Sequence, residues 1–147
     1  MPTSWPTPSE LARATSGAAL VLDHLGKPDI VRRPRQMARR PQAARRPGCF
    51  HVTCKLSGLV TEADPDRWTT GDLRPFVEEA LDAFGPRRLM WGSDWPVVTA
   101  ANTDHDGWRS TTEELLAPLT ADERDQILCA TACRVYGIEP AAPRNGA

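Results

Sequence analysis

Three short apolar runs of this 147-residue sequence end in polar side chains that can do acid–base chemistry. Asp23 and His24 end the first run, Lys55 and Ser57 end the second, and Asp94 ends the third. A carboxylate can take a proton from water, an imidazole can polarise a carbonyl group, and an ammonium group can bind an anion. If the runs are parallel strands, their carboxyl ends share one edge of a sheet, and the side chains form a candidate acid–base or metal site.

Each of these residues also has a simpler interpretation. Asp94 could cap the turn after its strand, His24 could be a hydrogen-bonded loop histidine, and Lys55 could point to solvent. Side chains of metal-ligand type are present as well, but no HxH or HExxH spacing supports a metal site. Those side chains are Asp23, His24, His51, Cys54 and Asp94.

The apolar pattern predicts three strands that would position these residues. AALVLD (18–23) is a continuous apolar run, as in a strand buried on both faces. FHVTCKLS (50–57) alternates apolar and polar residues. This pattern is typical of a half-exposed antiparallel strand, and equally of a barrel strand whose apolar side meets helices while the other side lines a polar interior. RLMWGSD (88–94) forms the third strand.

Helical patterns separate and follow the strands. Apolar residues from Leu73 to Phe84 recur at helical spacing, and Gly85 is suited to end that helix. A helix is also predicted over 108–116, and Thr120 and Glu123 have the spacing of a capping box that opens a last helix, ended by Gly137. Strands that alternate with helices predict an α/β fold with parallel strands and right-handed crossovers.

Composition narrows the class of protein. The sequence shows neither a membrane-spanning apolar run nor a secretory leader, so we expect no membrane partner. The four cysteines, Cys49, Cys54, Cys129 and Cys133, form no CxxC pair, and we interpret them as reduced thiols of a cytoplasmic protein.

One segment is strongly basic although the net charge of the chain is only -1. Residues 32–46, RRPRQMARRPQAARR, contain seven arginines and no acidic residue. The block lacks interleaved aromatic residues and any nucleic-acid-binding motif, which argues against nucleic acid as a partner. A basic surface loop is the favoured interpretation, and an interaction module that binds an acidic surface through this loop remains an alternative.

The sequences VLDHLGKP, CKLSGL and FGPRRLMWGSDWPV, in this order, resemble the amidohydrolase-related family, in particular its lactonase branch of L-fuconolactone and 2-pyrone-4,6-dicarboxylate hydrolases. The resemblance covers roughly residues 9–138, apart from the arginine-rich block. It implies a (β/α)8 TIM barrel with its site at the carboxyl ends of the strands. The three strands here resemble the sixth, seventh and eighth, so the chain is expected to form an incomplete, C-terminal part of such a barrel.

The same resemblance implies roles for the polar residues. Asp94 would be the general base that activates a water molecule, and His24 would bind or polarise the scissile carbonyl of a small-molecule lactone. Lys55 and Ser57 would contact substrate, and Trp95 would wall the pocket. Some members of the family hold a divalent metal and others hydrolyse lactones without one, so the cofactor is either a metal such as zinc, held by Asp94 and His24, or none.

The sequence also departs from the family. A full barrel needs roughly 250 residues, and the His-x-His of the family's first strand is absent from this chain. We therefore expect residues 1–140 to be a partial barrel domain that is inactive as a lactonase by itself, followed by a disordered tail at 141–147. Self-association, or a partner that supplies the missing strands, would complete it, and a non-catalytic α/β fragment is the alternative function.

An atypical segment interrupts the resemblance at 31–49. Three prolines and the lack of an apolar period conflict with the helix that the family places before its seventh strand. We interpret this segment as the product of a compensated frameshift or of a decayed gene, and we expect it to be disordered or poorly packed.

Overall fold

The computed structural model describes residues 10, 14–15, 18–31 and 51–139. Nearly all of the segment 31–49 and the whole tail at 141–147 lie outside these residues. The expectations for those parts of the chain therefore stay predictions.

A three-stranded parallel sheet forms the centre of the structure. The strands are β1 (Leu20–Leu22), β2 (Val52–Leu56) and β3 (Leu89–Trp91), and they lie in the order β1-β2-β3. Leu20 pairs with Val52 across the first two strands, and Cys54 pairs with Leu89 across the second two. The parallel α/β arrangement predicted from the sequence is confirmed, although each strand is shorter than the apolar run that predicted it.

Helix α1 (Thr70–Phe84) connects β2 to β3 and builds most of the core. Thr69 caps its first turn in a capping box with Asp72, and Gly85, at φ 68°, ends it as predicted. Its apolar stripe packs with Cys54, Leu56 and Leu89 of the sheet. The buried residues of that stripe are Leu73, Phe76, Val77, Ala80, Ala83 and Phe84.

The remaining helices follow β3. They are α2 (His105–Leu116), α3 (Ala121–Asp125) and α4 (Thr131–Tyr136), and a single π-helical turn (Gln126–Ala130) joins the last two. The Thr120–Glu123 capping box and the end at Gly137 (φ 65°) match the sequence prediction. Within the described residues, no helix is both long enough and apolar enough to cross a membrane.

Two tryptophans fix the chain after β3. Trp108 is fully buried, and its indole Nε1 donates to the carbonyl oxygen of Gly92 at 3.0 Å. Trp91 Nε1 donates to Thr112 Oγ1, also at 3.0 Å. Helix α2 is thus bound to the last residues of the strand and to the turn that carries Asp94.

Candidate active site

The carboxyl ends of all three strands contribute to one polar cluster. His24 Nδ1 lies 2.9 Å from Ser57 Oγ, within hydrogen-bond distance, and 3.7 Å from Asp94 Oδ1. The His24 side chain is 28 % exposed and that of Asp94 is 12 % exposed, so both are largely sheltered but still open to solvent. The structure therefore brings together three of the residues that the sequence selects, each from a different strand end.

The backbone at two of these residues is strained. His24 has φ 52° and Asp94 has φ 56°, in the left-handed region, which costs an L-residue about 1–2 kcal/mol. His24 lies in a run of left-handed residues from 24 to 27, within a short 3-10 turn after β1. Strain of this kind persists where the surrounding structure enforces it and is concentrated at functional sites.

Gly58 leaves the space that the imidazole occupies. A Cβ atom at this position would lie 2.7 Å from His24 Nδ1, and the φ of Gly58 is +64°. Any side chain here would be strained and would press against the imidazole. No motif in the sequence marks Gly58 as a site residue. The only available signal is its position directly after the polar end of β2, where a close backbone approach is common.

Lys27 and Glu62 form an ion pair beside the cluster, at 2.7 Å from Nζ to Oε1. The hydrogen bond to Glu62, together with its charge, raises the pKa of Lys27, and the negative charge of Asp94 adds to that shift. Lys27 is therefore a paired cation whose main partner is Glu62. Sequence reasoning missed both residues, because a lysine in a Gly/Pro-rich loop looks like an ordinary surface residue.

Lys55 contacts Asp23 and Tyr136. Its Nζ lies 2.8 Å from Asp23 Oδ1 and 5.9 Å from the centre of the Tyr136 ring. The hydrogen bond with Asp23 is the main cause of a raised pKa of Lys55, so the ammonium form is favoured. Lys55 is thus a charged group paired with the residue next to His24.

Trp95 follows Asp94 directly and is 68 % exposed, and Val97 nearby is 56 % exposed. Large apolar side chains at the surface are informative when they lie beside polar reactive groups, because ligand sites combine apolar walls with a few polar contacts. The indole of Trp95 is therefore an exposed apolar surface on the residue that follows Asp94.

The described residues alone do not fit a zinc site. His24 and Asp94 offer two donor side chains, whereas protein zinc sites use three or four. No group of three or more His, Cys, Asp or Glu side chains in the described ranges could hold a metal ion. We therefore derive no step through a metal.

The chain is similar in sequence to known hydrolases. The sequence model of the amidohydrolase family matches residues 6–138. The L-fucono-1,5-lactonase of Burkholderia multivorans is 46% identical over 138 residues, covering 85% of this chain and 45% of the lactonase.

Two solved structures are similar to the chain. One is an amidohydrolase from Burkholderia multivorans with bound zinc, with a TM-score of 0.78 and 40% identity, covering 89% of this chain and 48% of that one. The other, from Pseudomonas putida, has the provisional name 2-pyrone-4,6-dicarboxylic acid hydrolase. Its TM-score is 0.71 and its sequence identity is 27%, and the match covers 91% of this chain and 49% of that one. This chain spans somewhat less than half the length of the proteins it matches.

Proposed function

This chain belongs to the amidohydrolase family, and from that premise we propose that its His24–Ser57–Asp94 cluster is the part of a lactonase site that activates water and holds the scissile carbonyl. The observation that carries the proposal is the approach of His24 Nδ1 to Asp94 Oδ1 at 3.7 Å, with both residues in strained backbone at strand ends. The named lactonase relative supports lactones as the substrate class.

Asp94 is the general base of the proposed reaction. Its carboxylate accepts a proton from water as the water oxygen bonds to the lactone carbonyl carbon. The ring C–O bond then breaks, and the protonated carboxyl group returns the proton to the leaving ring oxygen. One water molecule is consumed, and the product is an open-chain hydroxy acid. Partial burial of Asp94 favours this role, because it limits competing hydration of the carboxylate.

His24 is oriented by Ser57 in this mechanism. When the Ser57 hydroxyl donates to Nδ1, the imidazole carries its hydrogen on Nε2, and Nε2–H is the donor that polarises the lactone carbonyl. The tautomer thus depends on a serine that is only 1% exposed. Ser57 is a positioning residue for the imidazole.

The remaining predicted contacts concern the substrate. The exposed indole of Trp95 would cover one face of the lactone ring, as aromatic groups do in apolar pocket walls. The Lys55 ammonium, held by Asp23, would attract an anionic or polar part of the substrate.

The three strands correspond, in this proposal, to the sixth, seventh and eighth strands of a TIM barrel. The parallel order β1-β2-β3 and the polar groups at the carboxyl ends agree with that assignment. A closed barrel needs five further strands, so full activity requires residues beyond the described ones.

The test is a chimera with the Burkholderia multivorans lactonase. Residues 18–31 and 51–138 of this chain replace the corresponding segments of that enzyme, and hydrolysis of L-fuconolactone is measured. We expect turnover in the chimera and a loss of about 100-fold or more in kcat for Asp94→Asn, the range typical of a general base.

Asp106→Asn is the matched control for this substitution. The Asp106 side chain is 94% exposed, contacts His105 and lies outside the cluster, so the variant should keep the activity of the chimera. A folded chimera whose turnover survives Asp94→Asn would overturn the proposed role of Asp94. The 147-residue chain alone is expected to show no lactone hydrolysis above background, and turnover that Asp94→Asn abolishes would contradict that expectation.

A further inference from the structure

Two cysteines of the C-terminal helical segment lie one turn apart with their sulfur atoms in contact. Cys129 is in the π-helical turn and Cys133 is in α4, and their Sγ atoms are 3.7 Å apart. Both residues are partly exposed, whereas Cys54 is buried in the core. The pair lies outside the candidate active site and takes no part in the proposed hydrolysis.

The helix that carries the pair is held against the residues before β3. Thr131, between the two cysteines, is fully buried, and its Oγ1 donates to the carbonyl oxygen of Arg87 at 3.2 Å. The Arg134 guanidinium donates to the same oxygen. Because this anchor fixes the segment on which both thiols lie, it favours reaction of one thiol with the other over reaction between two chains.

One thiol of the pair keeps its proton. The hydrogen bond with Cys133 is the main cause of a raised pKa of Cys129, and burial and the charges of Cys133 and Asp125 act in the same direction. Cys129 is thus the S–H donor, and a hydrogen bond to a sulfur atom favours the thiolate form of that sulfur. Since the thiolate is the nucleophile in thiol chemistry, Cys133 is expected to react first with an electrophile.

The separation of the sulfur atoms is close to that of reacting groups. Atoms that react from a held geometry start about 3–3.5 Å apart, and the two Sγ atoms are at 3.7 Å. A disulfide also needs Cβ atoms about 3.5–4.5 Å apart, whereas Cβ atoms one helical turn apart are separated by about 5–6 Å. The helix ends at Gly137, so its last turn can tighten to supply this change. A bridge formed in this way is strained and exposed, and such disulfides are readily reduced.

We propose that Cys129 and Cys133 are a reversible oxidation site, at which hydrogen peroxide converts the two thiols into a disulfide within the helical segment. The Cys133 thiolate attacks the peroxide, so an S–O bond forms, the O–O bond breaks, and the departing hydroxide takes a proton to become water. The Cys129 sulfur then attacks the Cys133 sulfur: an S–S bond forms, the S–O bond breaks, and the thiol proton leaves with the hydroxide as water. Two thiols and one peroxide thus give one disulfide and two water molecules, with the sulfur atoms oxidised and the peroxide oxygens reduced.

The test treats the full, reduced chain with one equivalent of hydrogen peroxide and alkylates the remaining thiols before digestion with trypsin. Cleavage after Arg124 and Arg134 places both cysteines in one peptide, 125–134. We expect this peptide to be recovered without alkylation and lighter by the mass of two hydrogen atoms. Incubation with excess reduced glutathione before alkylation should restore both alkylated cysteines, because the bridge is strained and exposed.

Cys129→Ser tests the order of the two steps. Without its partner thiol, Cys133 should stop at the sulfenic acid, which dimedone captures. Cys133→Ser lacks the sulfur that reacts first, so it should capture much less dimedone after the same treatment. Equal capture by the two variants, both with the circular dichroism of the parent chain, would overturn the assignment of Cys133 as the nucleophile.

Cys49→Ser is the matched control and should form the bridge as the parent chain does. Burial raises the pKa of Cys54 to about 12, so that thiol should stay unreacted. Full alkylation of peptide 125–134 after peroxide treatment of the folded chain would overturn the proposal. So would a bridge that joins either cysteine of the pair to Cys49 or to a second chain.

Discussion

Gly58 tests the position of the imidazole at the scale of one residue. In Gly58→Ala the new Cβ would lie 2.7 Å from His24 Nδ1 while the backbone keeps a φ of +64°. We expect a loss of about 1 kcal/mol or more in the free energy of unfolding. We also expect displacement of the ring from Ser57, seen as changed His24 imidazole resonances in NMR spectra.

Gly85→Ala is the control because it isolates the cost of the backbone. Gly85 has φ +68°, and a Cβ there would meet nothing within 4 Å. The Gly85→Ala variant should therefore also lose about 1 kcal/mol in the free energy of unfolding, but its His24 resonance should be unchanged. Identical His24 spectra for the parent chain and Gly58→Ala would show that the contact with the ring is unimportant.

The site could be predicted from the sequence only where a residue carries its own chemical signal. His24, Ser57 and Asp94 each end an apolar run, and parallel strands bring such ends together. Gly58 lies against the His24 ring, and Lys27 pairs with Glu62, so both depend on partners that are distant in sequence. Their importance depends on a distance that no local pattern contains.

At the scale of an element, a substitution of Trp108 tests how α2 is held in place. It is fully buried, and its indole bonds to Gly92, so it connects α2 to the turn before Asp94. Trp108→Ala should lower the free energy of unfolding by about 3–5 kcal/mol, because it leaves a large cavity and an unpaired carbonyl. Urea denaturation followed by circular dichroism measures the loss.

Trp95→Ala is the matched control for Trp108→Ala. With 68% of Trp95 exposed, its removal should change stability by no more than about 0.5 kcal/mol. Similar losses for the two variants would mean that α2 is not fixed through Trp108.

The N-cap of α3 gives a pH-dependent prediction. The Thr120 hydroxyl oxygen accepts a hydrogen bond from the backbone N–H of Glu123. The backbone N–H and the hydroxyl group of Thr120 donate to the Glu123 carboxylate. These two bonds lower the pKa of Glu123 below its usual 4.5. Because the pKa of Glu123 is lower in the folded state, the ionised carboxylate stabilises the fold at pH values above 4.5. This stabilisation is lost as the pH falls through the pKa of Glu123 in the folded state. Loss of the Thr120 side-chain cap in Thr120→Ala should cost about 1 kcal/mol near neutral pH. The part of that loss that comes from the hydroxyl bond to the Glu123 carboxylate should disappear in acid.

Thr111→Ala serves as the comparison for the cap variant. Thr111 lies inside α2, and its hydroxyl donates to the Gly107 carbonyl one turn earlier. Alanine is a better helix former at such a position, so this variant should be as stable as the parent or slightly more so at every pH. Thermal melts over a pH series measure both variants, and a pH-independent loss in Thr120→Ala would contradict the role of the Glu123 carboxylate.

Elements were predictable where their ends are marked by local chemistry. The capping box at Thr120 and the glycines at 85 and 137 define helix ends, and the structure confirms all three. The π-helical turn within the last helix and the start of α2 at His105 were not predicted. The Asp104 cap has no capping-box partner, so no local pattern marks a helix start before residue 108.

At the scale of the whole molecule, both outer strands of the described sheet have a free edge. β1 and β3 each pair only with β2 among these residues, and an unpaired edge is a template for another chain. We therefore expect the chain to self-associate through these edges.

Sedimentation velocity over a concentration series measures this association, and a charged edge residue tests its cause. Val21→Lys places an ammonium group on β1, which should weaken edge pairing and shift the distribution toward monomer. Val31→Lys is the matched control, because Val31 is 60% exposed and lies outside the strands. A parent chain that remains monomeric at every concentration and melts cooperatively would refute the prediction. Equal effects of the two lysines would assign the association to another surface, because only Val21 belongs to an edge strand.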